Sequence, residues 1–284
     1  MRIANHDSRL TLVDGEKGLD VEELSEGRFP ADVHGAYERW DELRAWAASW
    51  HDGPEGFPLD PTLLGPPSPR PAQVFAVGLN YADHVAEGGY SRPEAPTVFT
   101  KFPTSLTGPY GEIALPPGTV DWEVEVVVVI GLRTAGPVEP ADAWSHVAGL
   151  TVGQDLSERV TQHRPPAPQF SLGKSFPGFG PLGPVLVTPD EFADPDDLAL
   201  SCRLNGRTMQ SSRTSRMIFD VPALLSYLSG VVTLLPGDVV FTGTPDGVGR
   251  ARKPPLFLRP GDVLESEIEG IGSLRHTFVT APAQ

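Results

Sequence analysis

The densest apolar run of the chain is Val-Val-Val-Val-Ile at 126–130, inside DWEVEVVVVIG (121–131). A stretch apolar on both faces predicts a covered strand. Its first half carries Asp121, Glu123 and Glu125. Side chains alternate along a strand, so Glu123 and Glu125 share a face, with backbones about 6.6 Å apart. Other strands are expected at AQVFAVGLNY (72–81), ending in a glycine-marked turn, and at LTVGQDLS (150–157), ending in Asp155. ALSCRLNGRTMQ (199–210) predicts a hairpin around Asn205-Gly206. RLTLV and LDVEEL flank the turn-like DGEKG and predict another near the N-terminus. The PGD triplets at 236–238 and 260–262 read as turns, each before a strand.

Helical spacing predicts helices over 36–50, over EPADAWSHVAG (139–149) and over DVPALLSYLSG (220–230). Pro140 suits a first turn and Gly149 an end. Asp220 suits an N-cap and Gly230 a stop. Residues 53–71 hold seven prolines and three glycines. They read as an extended connection, so residues 1–71 form a small N-terminal α/β module with its linker and 72–284 the main domain. Residues 163–184 read as a Pro/Gly-rich loop long enough to carry function.

Composition narrows the fold class. Thirty glycines and thirty-one prolines in 284 residues favour many short strands joined by turns over a helical bundle. A net charge of −15 disfavours nucleic acid and anionic membrane surfaces as partners. A single cysteine, Cys202, excludes an internal disulfide and reads as a buried, inert thiol. The first residues lack the apolar core of a signal peptide, and no apolar stretch reaches the ~20 residues of a membrane span. A cytoplasmic protein is the expectation.

Four groups of residues offer chemistry. Glu123, Glu125 and Asp155 give three carboxylates from two strands; without His or Cys nearby they suit Mg²⁺, Mn²⁺ or Ca²⁺ rather than zinc, unless they lie on a solvated face. In NYADHVAE (80–87), His84 and Glu87 share a helical face and either orient a base or form an ordinary surface pair. Arg159, Gln162 and Lys174 either hold substrate oxygens or are surface groups. FTGTPDGVG (241–249) offers Thr242, Thr244 and loop amides to an anion, but lacks phosphate-loop spacing. There is no G-x-S-x-G elbow for a serine hydrolase.

The order of GLNYADHVAE, P-x-V-F-T-K, DWEVEVVVVIG, VGQDLSERVTQ, GKSF…PLGP, LNGRTMQ and LLPGDVVFTGTPDGVG resembles the fumarylacetoacetate hydrolase family from about residue 72 onward. The resemblance implies an α+β, mainly β fold of layered mixed sheets rolled around a metal site, and a homodimer. It implies Glu123, Glu125 and Asp155 as ligands of Mg²⁺ or Mn²⁺, with Ca²⁺ able to replace them in crystals. It implies His84 and Glu87 as a water-activating dyad, Lys174 as an enolate-stabilising group, and Arg159, Gln162 and Thr244 as substrate contacts or braces. The implied substrate is a small anionic 2-oxo acid. Hydrolysis of a C–C bond in a 2,4-dioxo acid is the expected reaction, with decarboxylation or isomerisation of a 2-oxo acid, a repurposed biosynthetic activity or a non-catalytic role as alternatives. Pro177-Gly178 replaces a polar position found in many relatives, so a more open or apolar pocket wall is expected there.

Overall fold

The computed structural model describes residues 1–49 and 55–281. The strand Val124–Ile130 is buried along its whole length, between Val147–Gln154 and Val239–Phe241. Its alternation feeds two cores. Val126, Val128 and Ile130 pack with Leu200, Cys202, Leu264 and Phe278. Val127 and Val129 pack with Leu10, Phe29, Tyr37, Trp40 and Phe241. A strand covered on both sides needs apolar residues at every position, which is what 126–130 supplies.

The principal sheet runs in the order Phe57–Pro58, Lys17–Asp20, Arg9–Asp14, Arg2–His6, Gly180–Val187, Val147–Gln154, Val124–Ile130, Val239–Phe241, Val74–Gly78, Thr97–Thr100. Along this order the pairs are antiparallel except Val239–Phe241 beside Val74–Gly78. A second sheet, Arg207–Arg213, Ala199–Leu204, Val263–Ile268, Gly272–Thr280, Tyr110–Leu115, contributes the opposite wall of the first core. The fold is α+β and strand-dominated. The N-terminal segment adds strands to the principal sheet, with Ile3 opposite Leu186, so hydrogen bonding continues across residue 71.

Some elements differ from expectation. The helical pattern over 36–50 is two helices, Val33–Tyr37 and Trp40–Ser49, with the buried Tyr37 and Trp40 rings stacked at 5.3 Å across the break. Residue 50 and the start of the expected connection lie outside the described residues. Pro140–His146 is a 3₁₀ helix, and Gly149 belongs to the next strand rather than to a helix end. A Cβ at Gly149 would stand 2.6 Å from the Val187 carbonyl, so close strand approach sets that glycine. The 163–184 loop contains the helix Phe170–Gly173 and the start of the strand Gly180–Val187. The hairpin at Asn205-Gly206 forms, and Asp220 caps Val221–Ser229 by accepting the Ala223 amide at 2.8 Å. Among the described residues no helix is long and apolar enough to cross a membrane.

Candidate metal centre and active site

Sheet geometry brings the three acids together. Glu123 sits in a gap between the short strand Val120–Asp121 and Val124–Ile130; Asp155 follows the end of Val147–Gln154. Where the ladder is interrupted, two buried glutamines replace it: Gln154 Oε1 accepts the Glu123 amide at 2.9 Å and Gln210 Oε1 the Val124 amide at 3.0 Å. Buried amides need such partners. Carboxylate oxygens of Glu123, Glu125 and Asp155 lie within 4.8 Å of one another, and all three residues are buried.

Three cations surround this cluster. Lys174 Nζ donates to Glu123 Oε2 and Asp155 Oδ2, each at 2.6 Å. Lys101 Nζ donates to Asp155 Oδ1 at 2.7 Å and to the Phe179 carbonyl at 3.1 Å. Arg159 pairs with Glu123 Oε1 at 2.8 Å and Asp121 Oδ2 at 2.6 Å. Four buried carboxylates, counting Asp121, thus face three buried cations. The one left without a cation is Glu125, whose hydrogen bond among the described residues comes from the Gly243 amide at 2.7 Å.

The electrostatics follow from that imbalance. Burial works against the Glu123 charge, but Lys174 and Arg159 outweigh it and hold the carboxyl down at about 2. Burial, reinforced by Asp155 and Glu123, pushes Glu125 well above the usual carboxylate range. Lys174 is also penalised by burial, yet Asp155 and Glu123 raise its pKa and keep it an ammonium. The loop after Phe241 fixes Glu125 in place. Thr242 Oγ1 donates to the Val126 carbonyl at 2.7 Å and Thr244 Oγ1 to the Val124 carbonyl at 2.9 Å. Gly243 between them has φ +104°, and a Cβ there would meet Asn80 Cβ at 2.7 Å, so only glycine lets its amide reach Glu125.

A cavity of about 430 Å³ opens beside the cluster, lined by Glu123, Lys174, Arg159, Gln162, Thr244, His84 and Glu87 among others. His84 and Glu87 stand on the helix Ala82–Glu87, with Nδ1 2.8 Å from Glu87 Oε1. Glu87 Oε2 accepts the Gly247 amide at 2.9 Å. A carboxylate only accepts, so Nδ1 donates to it, and Nε2 is the ring nitrogen left to exchange a proton with a substrate or water. Val77, Leu79, Phe99, Phe170 and Val248 give the cavity an apolar wall, and Tyr90, His163, Arg250, Arg252 and Lys253 also line it.

A profile described as fumarylacetoacetate (FAA) hydrolase C-terminal matches residues 73–279. The chain belongs to the fumarylacetoacetate hydrolase family. A bovine relative, the mitochondrial oxaloacetate tautomerase FAHD2A, is 50% identical over 220 residues, covering 77% of this chain and 69% of that one. A solved protein of Mycobacterium smegmatis is 52% identical with a TM-score of 0.94, over 99% of this chain and 100% of its own. A maleylpyruvate hydrolase of Sphingobium sp. SYK-6, solved with manganese(II) and pyruvate, is 26% identical with a TM-score of 0.82, over 99% and 100%.

Fumarylacetoacetate hydrolase family enzymes depend on a divalent metal, and this donor set fits one. At metal–oxygen distances of 2.0–2.4 Å, opposed ligands stand at most about 4–5 Å apart, which matches the spread of the three acids. Oxygen-only donors suit Mg²⁺ or Mn²⁺. Glu125, buried beside two other carboxylates and lacking a cation, is the residue that most needs one.

Every candidate from the sequence lies in this region, but not always in the expected posture. Arg159 is committed to Asp121, Glu123 and Gln162 (2.9 Å to Gln162 Oε1). Thr244 spends its one donor on the Val124 carbonyl and accepts from Gln210 Nε2 at 2.7 Å, so it has no hydrogen left to donate to a substrate. Pro177 and Gly178 do not line the described cavity, so the expected change of its wall does not come from them. Sequence reasoning missed Lys101, the ion-pairing role of Asp121, and the glutamines Gln154 and Gln210. Lys101 ends the P-x-V-F-T-K motif, and that was the one signal available.

Proposed function

We propose that this enzyme of the fumarylacetoacetate hydrolase family interconverts the keto and enol forms of a 2-oxo acid of the oxaloacetate type, with Mg²⁺ or Mn²⁺ held by Glu123, Glu125 and Asp155. The observation that carries the reading is the His84–Glu87 pair on the wall of the cavity that also exposes Glu123 and Lys174. The relatives named oxaloacetate tautomerases support isomerisation over the hydrolysis expected from sequence. A bound divalent ion supplies a Lewis acid for the 2-oxo oxygen, where negative charge develops.

The chain's own residues do the rest. His84 Nε2 takes a proton from the carbon next to the 2-oxo group, and that C–H electron pair becomes the enolate C=C bond while the carbonyl pair moves to oxygen. Glu87 holds the ring and stabilises the imidazolium. The buried Lys174 ammonium stabilises the enolate oxygen. Arg159 fixes Glu123 and turns Gln162 so that its amide NH₂ is left to donate into the cavity. Return of the proton from His84 to the enolate oxygen completes the exchange; the reverse sequence yields the keto form.

The test is the decay of enol-oxaloacetate absorbance with Mg²⁺. His84→Gln is expected to lower the catalysed rate by about 10²–10⁴-fold, the usual worth of a positioned base, with Mg²⁺ affinity unchanged by titration calorimetry. An equal rate in the variant removes His84 from the mechanism.

Hydrolysis is the second reading, favoured by the likeness to the maleylpyruvate hydrolase and by the same base, which also suits a water. Cleavage of an acylpyruvate faster than oxaloacetate tautomerisation reverses the order of the two. Decarboxylation needs no base, so His84→Gln spares it. The enzyme is taken to act as a homodimer; light scattering giving twice the 30.5 kDa chain mass supports this and a monomer removes it.

A further inference from the structure

The cavity has a second charged region at its rim. Arg250, Arg252 and Lys253 all line it. Arg252 is occupied, donating to the Met209 and Gly247 carbonyls at 2.8 and 3.2 Å with its guanidinium over Trp122. Arg250 is different. Its guanidinium contacts only neutral groups, His163 Nε2 and the Tyr90 hydroxyl at 3.1 Å, and among the described residues no carboxylate pairs with it. Arg250 lies exposed at the cavity mouth, where an anion entering from solvent can reach it.

Arg250 is also well placed. Its backbone amide donates at 2.9 Å to Asp121 Oδ2, the oxygen that receives Arg159. Arg159 in turn holds Glu123. A continuous set of bonds, buried from Asp121 inward, therefore ties the backbone of this exposed rim residue to the carboxylate cluster. Its side-chain partners orient it without cancelling its charge. His163 is pushed down to about 4, by burial first and then by Arg250 itself, and so accepts as a neutral ring near pH 7.

We propose that Arg250, braced by His163 and Tyr90, grips the distal carboxylate of the substrate, so that the site selects dicarboxylic over monocarboxylic 2-oxo acids. This rests on the enolisation proposed for the same cavity. One end of such an acid lies at the carboxylate cluster, and the other meets a guanidinium fork suited to bidentate carboxylate binding. The apolar wall between them takes the carbon chain.

The test compares wild type, Arg250→Met and Arg250→Lys, each with Mg²⁺. Oxaloacetate is followed by enol absorbance, and 2-oxobutyrate by exchange of its C3 protons with D₂O in NMR. Arg250→Met is expected to lower the oxaloacetate-to-2-oxobutyrate ratio of kcat/KM by about 10- to 100-fold, the worth of a charge-assisted hydrogen bond, mainly through the KM for oxaloacetate. Arg250→Lys keeps part of the ratio, because it keeps the charge and loses the fork. A ligand-free melting temperature equal to wild type shows that the variants are folded. An unchanged ratio in a wild type that enolises oxaloacetate overturns the inference alone, as does a parallel fall with both substrates. A wild type that enolises neither acid overturns the proposed function and the inference with it.

Discussion

Glu125→Gln separates a metal ligand from a structural acid because it is expected to act with opposite signs in two conditions. Glu125 is the buried carboxyl without a cation, pressed by Glu123 and Asp155. Glutamine keeps the shape, keeps an oxygen for the Gly243 amide, and turns an NH₂ toward the two acids. Near pH 7 that carboxyl weakens the metal-free fold by about 1–3 kcal/mol, because it must stay an unpaired anion or hold a proton that the unfolded chain releases, and the amide avoids both. At about 2–4 °C per kcal/mol for a chain above 150 residues, the melting temperature in EDTA should rise by several degrees. With Mg²⁺ at about 1,000 times its Kd, wild type gains about 4.1 kcal/mol, more than the variant's advantage in EDTA, while the variant, short of one ligand, gains far less. The order of the two melting curves should therefore invert between EDTA and saturating Mg²⁺. Differential scanning fluorimetry reads both. A variant less stable than wild type in EDTA, with the same Mg²⁺ shift, refutes the reasoning.

Three further outcomes are expected. His276, buried with Nε2 3.1 Å from the Gly108 carbonyl, is pushed down to about 4 by burial. The folded protein then binds fewer protons than the unfolded chain between pH 6.5 and about 4, so stability falls as pH drops through that window. The loss from pH 7 to 5 is about 2 kcal/mol, and His276→Gln should flatten it in urea titrations at the two pH values. Gln210→Ala leaves the Val124 amide unpaired and unties Thr244; it should cost about 1–3 kcal/mol and weaken Mg²⁺ binding by calorimetry, and unchanged affinity removes Gln210 from the support of the site. Burial pushes the Cys202 thiol up to about 12, so iodoacetamide should leave the native protein unlabelled and add one equivalent after denaturation.

What the sequence disclosed was local. The alternation in 123–130 put two glutamates on one face and apolar residues on both sides of a strand, and the structure sends those residues to a carboxylate cluster and two cores. The i, i+3 spacing of His84 and Glu87 suffices for their contact. The Asp220 cap needs only three residues. Hidden were the long-range partners. Lys101 meets Asp155 across 54 positions, and Gln210 meets Val124 across 86, through a different sheet. No period or spacing encodes such meetings.

The strand Gly180–Val187 was masked by its own prolines. Its register against Val147–Gln154 slips between Leu150 and Val152, and Pro184 falls in that irregular stretch, where a missing amide breaks no regular rung. The interruption at Glu123 was equally invisible. Strand pattern runs through it, while side-chain amides from Gln154 and Gln210 do the bonding that a neighbouring strand would otherwise do.

The central claim is that three carboxylates from two strands seat one divalent ion in this protein. An anomalous difference map at the manganese edge, from crystals soaked in Mn²⁺, tests it most directly. A single strong peak bonded by Glu123, Glu125 and Asp155 is the predicted result. A map with no peak there, or with manganese bound only elsewhere, contradicts the account.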